Sequence, residues 1–240
     1  MAKEHEIDYL SRLDGAGRDH ALGKPWSDPA RGRYLAEVGG MISLMPQPPA
    51  RLLDMGAGTG WTSSLFALSG YDVTAADIAP DMVAAHAQTA ARYGVALASV
   101  VCDFESVPFA DEFDVVVFYD CLHHAENEVA ALRNAHRALR AGGVCITLEP
   151  GRGHKDSDES LRAMREFGTT ERDMPPRTII AAAKAVGFTG HAVYERPVEP
   201  MLITTGRWSS PNSIVSAAKR FLGRATPMAL SRSQLVVLRK

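Results

Sequence analysis

Residues 50–60, Ala-Arg-Leu-Leu-Asp-Met-Gly-Ala-Gly-Thr-Gly, constrain the fold more than any other stretch of this chain. A short apolar run leads into Asp54, glycines follow at 56, 58 and 60, and Trp61 to Leu68 reads as a helix. The pattern is strand, tight turn, helix. Glycine at 56 and 58 admits backbone conformations closed to a residue with a Cβ and lets a ligand come close to the main chain. The following helix presents unpaired N–H groups and the positive end of its dipole at the same place. A nucleotide-like ligand suits such a turn.

The rest of the chain repeats that rhythm. After Gly70, residues 71–77 read as a second buried strand ending on Asp77, and Pro80 opens a helix from Asp81 to Tyr93 that Gly94 ends. Strands follow at 96–102, 113–119 and 144–148, with a helix from Glu126 to Arg140 closed by Gly142 and Gly143. Upstream, Pro29 heads a helix with Tyr34, Leu35, Val38, Met41, Ile42 and Met45 on its apolar face. Downstream, short helices are expected at 161–167 and 176–186 and strands at 191–195 and 235–238. Strands alternating with helices in this way predict an α/β fold with a doubly wound, seven-stranded, mostly parallel sheet buried on both faces. The expected organisation is a single domain over 1–240: an N-terminal helical cap (1–48), a cofactor-binding core (49–150) and a substrate-side half (151–240) with an insertion at 196–234.

At 240 residues, with 46% hydrophobic and 22% charged residues, the chain has the composition of one sizeable globular domain. It has no apolar run near the roughly 18 to 20 residues a membrane span needs, and its charged N-terminus lacks the apolar core of a signal peptide. A cytoplasmic location is therefore expected. The cysteines, 102, 121 and 145, form no C-x-x-C pair and are read as reduced thiols in or near the sheet. Residues 201–240 carry seven basic side chains and no acidic one, so the net charge of −2 hides a basic end on an acidic body. Within that end, a helix over 211–224 would carry Lys219, Arg220 and Arg224 on one side. A weak contact of this helix with an anionic substrate or membrane surface is one expectation, and a solvated outer face is the other.

The choice of nucleotide turns on Trp61. The dinucleotide fingerprint G-x-G-x-x-G/A needs a small residue where Trp61 stands. The spacing Asp-x-Gly-x-Gly-x-Gly instead resembles the class I S-adenosylmethionine-dependent methyltransferases, over about residues 27–195 plus the last strand. The resemblance implies a last strand antiparallel to the others. It also implies S-adenosylmethionine as cofactor, with the turn of Asp54, Gly56, Ala57 and Gly58 against its methionine part. Asp77, with Ile78 beside it, stands where an acid accepts hydrogen bonds from both ribose hydroxyls; a helix-capping role before Pro80 is the alternative. Asp103 would receive the adenine amine with Phe104 flanking the ring, and Asp120 would complete the cofactor set. Trp26, in Gly-Lys-Pro-Trp-Ser-Asp, resembles a segment that closes over the cofactor, against the alternative of a core tryptophan.

The fourth strand ends in Tyr119-Asp120-Cys121-Leu122-His123-His124. This is not the Asp/Asn-Pro-Pro-Tyr/Phe of enzymes that methylate DNA adenines or glutamine amides, which argues against a nucleic-acid partner. Imidazole near its neutral pKa is the ordinary base for removing a proton from a hydroxyl. His123, His124 and His154, the last in the polar loop 151–159, are the candidate bases; a packing or cofactor-orienting role is the alternative for the first two, and an anion contact or an ordinary polar loop for His154. A metal set of Asp120, His123, His124 and Glu149 can be drawn, but no metal is expected, and the cluster Glu171, Arg172 and Asp173 reads as solvated surface. The segment from Gly151 to Asp173 loosely resembles bacterial methyltransferases of glycan assembly. The reading is methylation at oxygen of a small-molecule or carbohydrate-type (glycan) acceptor. Its rivals are a nicotinamide-dependent oxidoreductase and a non-catalytic S-adenosylmethionine-binding protein.

Overall fold

The computed structural model describes residues 2–197 and 232–240. Four helices lead the chain: α1 (Ala2–Ile7), α2 (Tyr9–Arg12), α3 (Gly15–Gly23) and α4 (Arg31–Ile42). The alternating core follows as β1 (Arg51–Met55), α5 (Trp61–Leu68), β2 (Asp72–Asp77), α6 (Pro80–Tyr93), β3 (Ala98–Val101), β4 (Phe113–Tyr119), α7 (Glu128–Ala138) and β5 (Leu139–Leu148). Then come α8 (Asp158–Glu166), α9 (Pro176–Val186), β6 (Gly190–Glu195) and β7 (Gln234–Arg239), with short 3-10 helices at Leu122–His124 and His154–Asp156. The anticipated helix over 211–224 lies outside the described residues. No helix among the described residues is long and apolar enough to cross a membrane.

The seven strands form one sheet in the order β3-β2-β1-β4-β5-β7-β6, parallel except for β7, which runs antiparallel to β5 and β6. Period-two burial places helices on both faces. Leu53, Met55, Val116, Phe118 and Cys145 pack on the side of α7 and α9, while Leu52, Val115, Val117 and Ile146 pack on the side of α4 and α5. Local chemistry sets the helix ends. Pro80 and Pro176 open α6 and α9, Gly94 and Gly187 close them in the left-handed region, and the Asn127 side chain caps α7 by accepting from the Ala130 N–H.

The polar N-terminal residues form α1 to α3, held by contacts to distant parts of the chain. Two expectations need correction. Helix α4 begins at Arg31 rather than at Pro29, because Asp28 folds the preceding turn by accepting from the Ala30 N–H. The Gly142-Gly143 pair does not stop a helix. Helix α7 ends at Ala138, the buried Leu139 already pairs with Phe113, and the glycines lie in the irregular stretch before Val144 pairs with Val115. Two other readings agree with the structure: Cys121 and Cys145 are buried, Cys102 is partly so, and all three are free thiols.

Candidate active site

The order of strands reverses between β1 and β4, which opens a crevice beyond their carboxyl ends. The glycine turn after β1 forms one wall. The N–H groups of Gly56 and Ala57 both donate to the Ala76 carbonyl, folding the turn against β2. Gly56 has φ +68°, and a Cβ there would lie 2.7 Å from that of Cys121, so a larger residue would push β1 and β4 apart at the crevice. Gly58 has φ +54°, a Cβ on it would meet no protein atom within 4 Å, and its N–H donates to Asp77 Oδ2 at 2.8 Å.

Asp77 is fixed at both oxygens, since Oδ1 accepts from the Ala79 N–H at 2.9 Å. Burial pushes its carboxyl up to about 6, against the pull of these two N–H bonds. Asp54 does not reach the crevice. It lies under α5, where one carboxylate oxygen accepts from the hydroxyls of Thr62 (2.8 Å) and Ser63 (2.6 Å), and burial lifts it to about 6 as well. His86, which sequence reasoning missed, steadies the turn from behind: Nε2 donates to the Gly58 carbonyl at 2.9 Å, and Nδ1 faces the Ser99 hydroxyl at 3.1 Å. Burial lowers the pKa of this ring, as its placement under the turn requires.

The crevice continues into a cavity of about 620 Å³. Gly56, Gly58, Asp77 and Ile78 line it from the first two strands, and Asp103, Phe104 and Asp120 from the next two. Asp120 has φ +54°, a left-handed conformation that aspartate tolerates better than most residues. Ala57 is buried behind the turn, so it and Asp54 shape the wall without facing the cavity. Trp26 is outside it too: half exposed, it donates from Nε1 to the Tyr93 hydroxyl at 2.9 Å, neither over the crevice nor in the core. Helices α1, α2, α4 and α8 do reach the cavity, through Lys3 and Glu6, Tyr9, Tyr34, and Ser160 in turn. Lys3 Nζ lies 2.5 Å from Asp103 and 3.1 Å from Glu105, Glu6 accepts from the Thr170 N–H, and the Arg12 guanidinium donates to the carbonyls of Glu166 and Phe167.

All three candidate histidines line the same cavity. The 3-10 helix Leu122–His124 is held from beneath by Glu149, whose carboxylate accepts from the N–H groups of Cys121 (3.2 Å), Leu122 (2.9 Å) and His123 (3.2 Å) and from His123 Nδ1 (2.8 Å). His124 Nδ1 donates to the Thr170 carbonyl at 2.6 Å. His154 Nε2 lies 2.8 Å from Glu171 Oε2, and the rings of His123 and His154 meet edge to face at 4.9 Å. Glu171 is therefore an inward-facing residue and not solvated surface; its side chain is 9% exposed. Its neighbours build the loop: Arg172 bonds the Ala125 carbonyl and Glu128, and Asp173 accepts from the N–H groups of Gly153 and Lys155.

Charge in this cluster is shared. Burial works against a proton on His124, but Glu6, Glu171 and the Thr170 carbonyl outweigh it and lift the ring to about 9. The bond to Glu171 raises His154. Burial acts to raise Glu171, yet His154, His124 and His123 bring it below the usual carboxylate value.

Comparison with known proteins agrees with the fold and the turn. Residues 53–147, which run from β1 to β5, match the family model described as "Methyltransferase domain". With the strand order and the glycine turn, this match makes the chain similar, from β1 to β5, to the class I S-adenosylmethionine-dependent methyltransferases. A demethylmenaquinone methyltransferase of Beutenbergia cavernae is 36% identical over 108 residues, 45% of this chain and 43% of that protein. The chain thus matches less than half the length of this curated relative. A Haemonchus contortus phosphoethanolamine N-methyltransferase 2, solved with S-adenosylmethionine, aligns over 97% of this chain and 59% of its own at TM-score 0.64 and 18% identity. The [4+2]-cyclase SpnF aligns over 100% of this chain and 94% of its own at TM-score 0.61 and 19% identity. At such identity the likeness is one of fold, and a cyclase among the neighbours shows why activity must be argued from the site.

The cavity wall fits the cofactor of this class. Asp77 and Asp103 offer carboxylate oxygens, Phe104 and Ile78 offer apolar surface, and Gly58 leaves its Cβ position free of protein. The dinucleotide alternative lacks its small packing residue, for Trp61 is buried between Tyr34 and Tyr119.

Proposed function

We propose that this chain transfers a methyl group from S-adenosylmethionine to a hydroxyl of a small-molecule acceptor. One observation carries the reading: a single cavity of about 620 Å³ is lined by Asp77, Ile78, Asp103 and Phe104 and also by the His154–Glu171 pair. When bound, S-adenosylmethionine supplies a methyl group already activated by its sulfonium. The protein must then bind and align the acceptor, exclude water and take up one proton.

The chain's residues divide that work. Gly56 and Gly58 let the backbone approach the cofactor, and Asp77 accepts from its ribose hydroxyls while Asp103 and Phe104 receive the adenine. His154 is the base. Glu171 holds one of its nitrogens, which leaves the other to accept the acceptor's hydroxyl proton, and the carboxylate offsets the resulting charge. Helices α1 and α2, tied by Lys3 and Arg12 to opposite sides of the cavity, exclude water. A cleft of this size favours a small acceptor over a polymer.

The test is turnover with methyl-labelled S-adenosylmethionine and a panel of phenols, hydroquinones and free sugars, with the product located by NMR. Label on acceptor oxygen is the expected result. Label on ring carbon would replace hydroxyl methylation by carbon methylation. Cofactor binding without transfer to any acceptor would favour the non-catalytic reading.

A further inference from the structure

Three side chains used only in part by the methyl-transfer reading converge on one point. We propose that His123, His124 and Glu171 bind one divalent transition-metal ion at the cavity, with Glu149 and the Thr170 carbonyl orienting the two rings. One ligand atom from each of the three residues lies within 4.8 Å of the others, and all three residues line the cavity. A small rotation of the side chains brings such a set to a common ion, and the cavity side stays open for a further ligand.

The orientation of the rings is the second observation. His123 Nδ1 faces Glu149 Oε2 at 2.8 Å, and His124 Nδ1 faces the Thr170 carbonyl at 2.6 Å. A carbonyl or carboxylate oxygen accepts, so each ring keeps a proton on Nδ1, and Nε2 of His124 offers its lone pair once the metal displaces the second proton that Glu6 and Glu171 favour on that ring. Metal-binding histidines are held in this way, with one nitrogen fixed by an outer carboxylate or carbonyl. His123 Nε2 then lies 3.6 Å from Glu171 Oε2, two electron-rich atoms on either side of a gap that a cation fills.

The donor set also selects the ion. Two imidazoles and one carboxylate suit zinc or ferrous iron and not magnesium, which takes oxygen ligands. Of the other acids nearby, Glu149 already receives four donors and stands behind His123, so Glu171 is the carboxylate ligand. The open position would receive the acceptor's oxygen, with His154 beside it; this last point rests on the methyl-transfer reading, whereas the ion site does not.

The experiment strips tag-free protein with chelator, then titrates it with Zn²⁺ by calorimetry and with Co²⁺ by visible absorption, alongside Glu171→Gln and His124→Gln. Each titrated sample is then titrated with S-adenosylhomocysteine. One equivalent of Zn²⁺ and of Co²⁺ is expected in the wild type, at least about tenfold weaker in both variants, with no saturable heat from Mg²⁺. Folded wild type that binds neither Zn²⁺ nor Co²⁺ saturably, or variants that bind as tightly as wild type, would overturn the site. Metal uptake without S-adenosylhomocysteine binding would keep the ion site and remove the methyl-transfer reading; the reverse pattern would do the opposite.

Discussion

His123 Nδ1 and Glu149 Oε2 lie 2.8 Å apart, with both side chains almost fully buried, and the same carboxylate gathers three consecutive backbone N–H groups. Glu149 thus sets the position of the whole turn that carries His123 and His124. In Glu149→Gln the amide nitrogen must face donors, leaving at least one buried N–H unpaired at a cost of about 1–3 kcal/mol. Urea unfolding should show that loss, and turnover should fall at least about tenfold as the turn shifts.

Asp54 gives a stability signal that depends on pH. Its carboxyl is lifted to about 6 by burial, against an unfolded value of about 3.9, so the folded state binds the proton more tightly. The corresponding stability is complete below pH ~4 and is lost as pH rises through ~6, by about 3 kcal/mol at most. Unfolding free energies at pH 4.5 and 7.5 should therefore fall less for Asp54→Asn than for wild type. Asp77 shifts in the same direction in both proteins, and the difference between the two slopes isolates Asp54.

Glu37, on α4, is fully buried and binds the Tyr119 hydroxyl at 2.5 Å and Arg196 at 2.7 Å. Arg196 is one-quarter exposed, so Glu37→Gln should cost less than a fully buried pair, about 2 kcal/mol. Arg33 reaches the same carboxylate only at 3.6 Å from a largely solvated position. Arg33→Ala should change stability by less than about 0.5 kcal/mol. Equal effects of the two substitutions in thermal unfolding would contradict this assignment.

Thr147, in the interior strand β5, buries a hydroxyl with no hydrogen-bond partner. Replacement by the similarly shaped Val removes that desolvated group, and Thr147→Val should raise stability by up to about 1 kcal/mol in denaturant unfolding. A loss of more than about 1 kcal/mol would mean that the hydroxyl is paired after all.

Much of this was legible in the chain because it is local. The glycines at 56, 58 and 60, the acids that end β2 and follow β3, and the prolines and glycines that open and close α6 and α9 act within a few residues of where they stand. Glu171 illustrates the limit. Its cluster with Arg172 and Asp173 looks like surface, and only the packing of residues 167–173 against α1, α2 and the Leu122–His124 turn carries it inward. Glu6, Lys3 and His86 escaped notice for the same reason, each meeting its partner across a long loop of chain. Trp26 failed in the opposite sense, since a motif-like context placed it at a lid although its local turn directs it to Tyr93. The bulge at Gly142-Gly143 was misjudged because a helix stop and a strand irregularity demand the same residue.

The most direct measurement is a calorimetric titration of the protein with S-adenosylmethionine and S-adenosylhomocysteine at neutral pH, for wild type and Asp77→Ala. Saturable binding of both ligands to one site is predicted. In the variant it should weaken at least about tenfold, because the carboxylate that meets the ribose hydroxyls is gone. Folded wild-type protein that binds neither ligand, or an Asp77→Ala variant that binds both unchanged, would contradict the assignment of this cavity to S-adenosylmethionine.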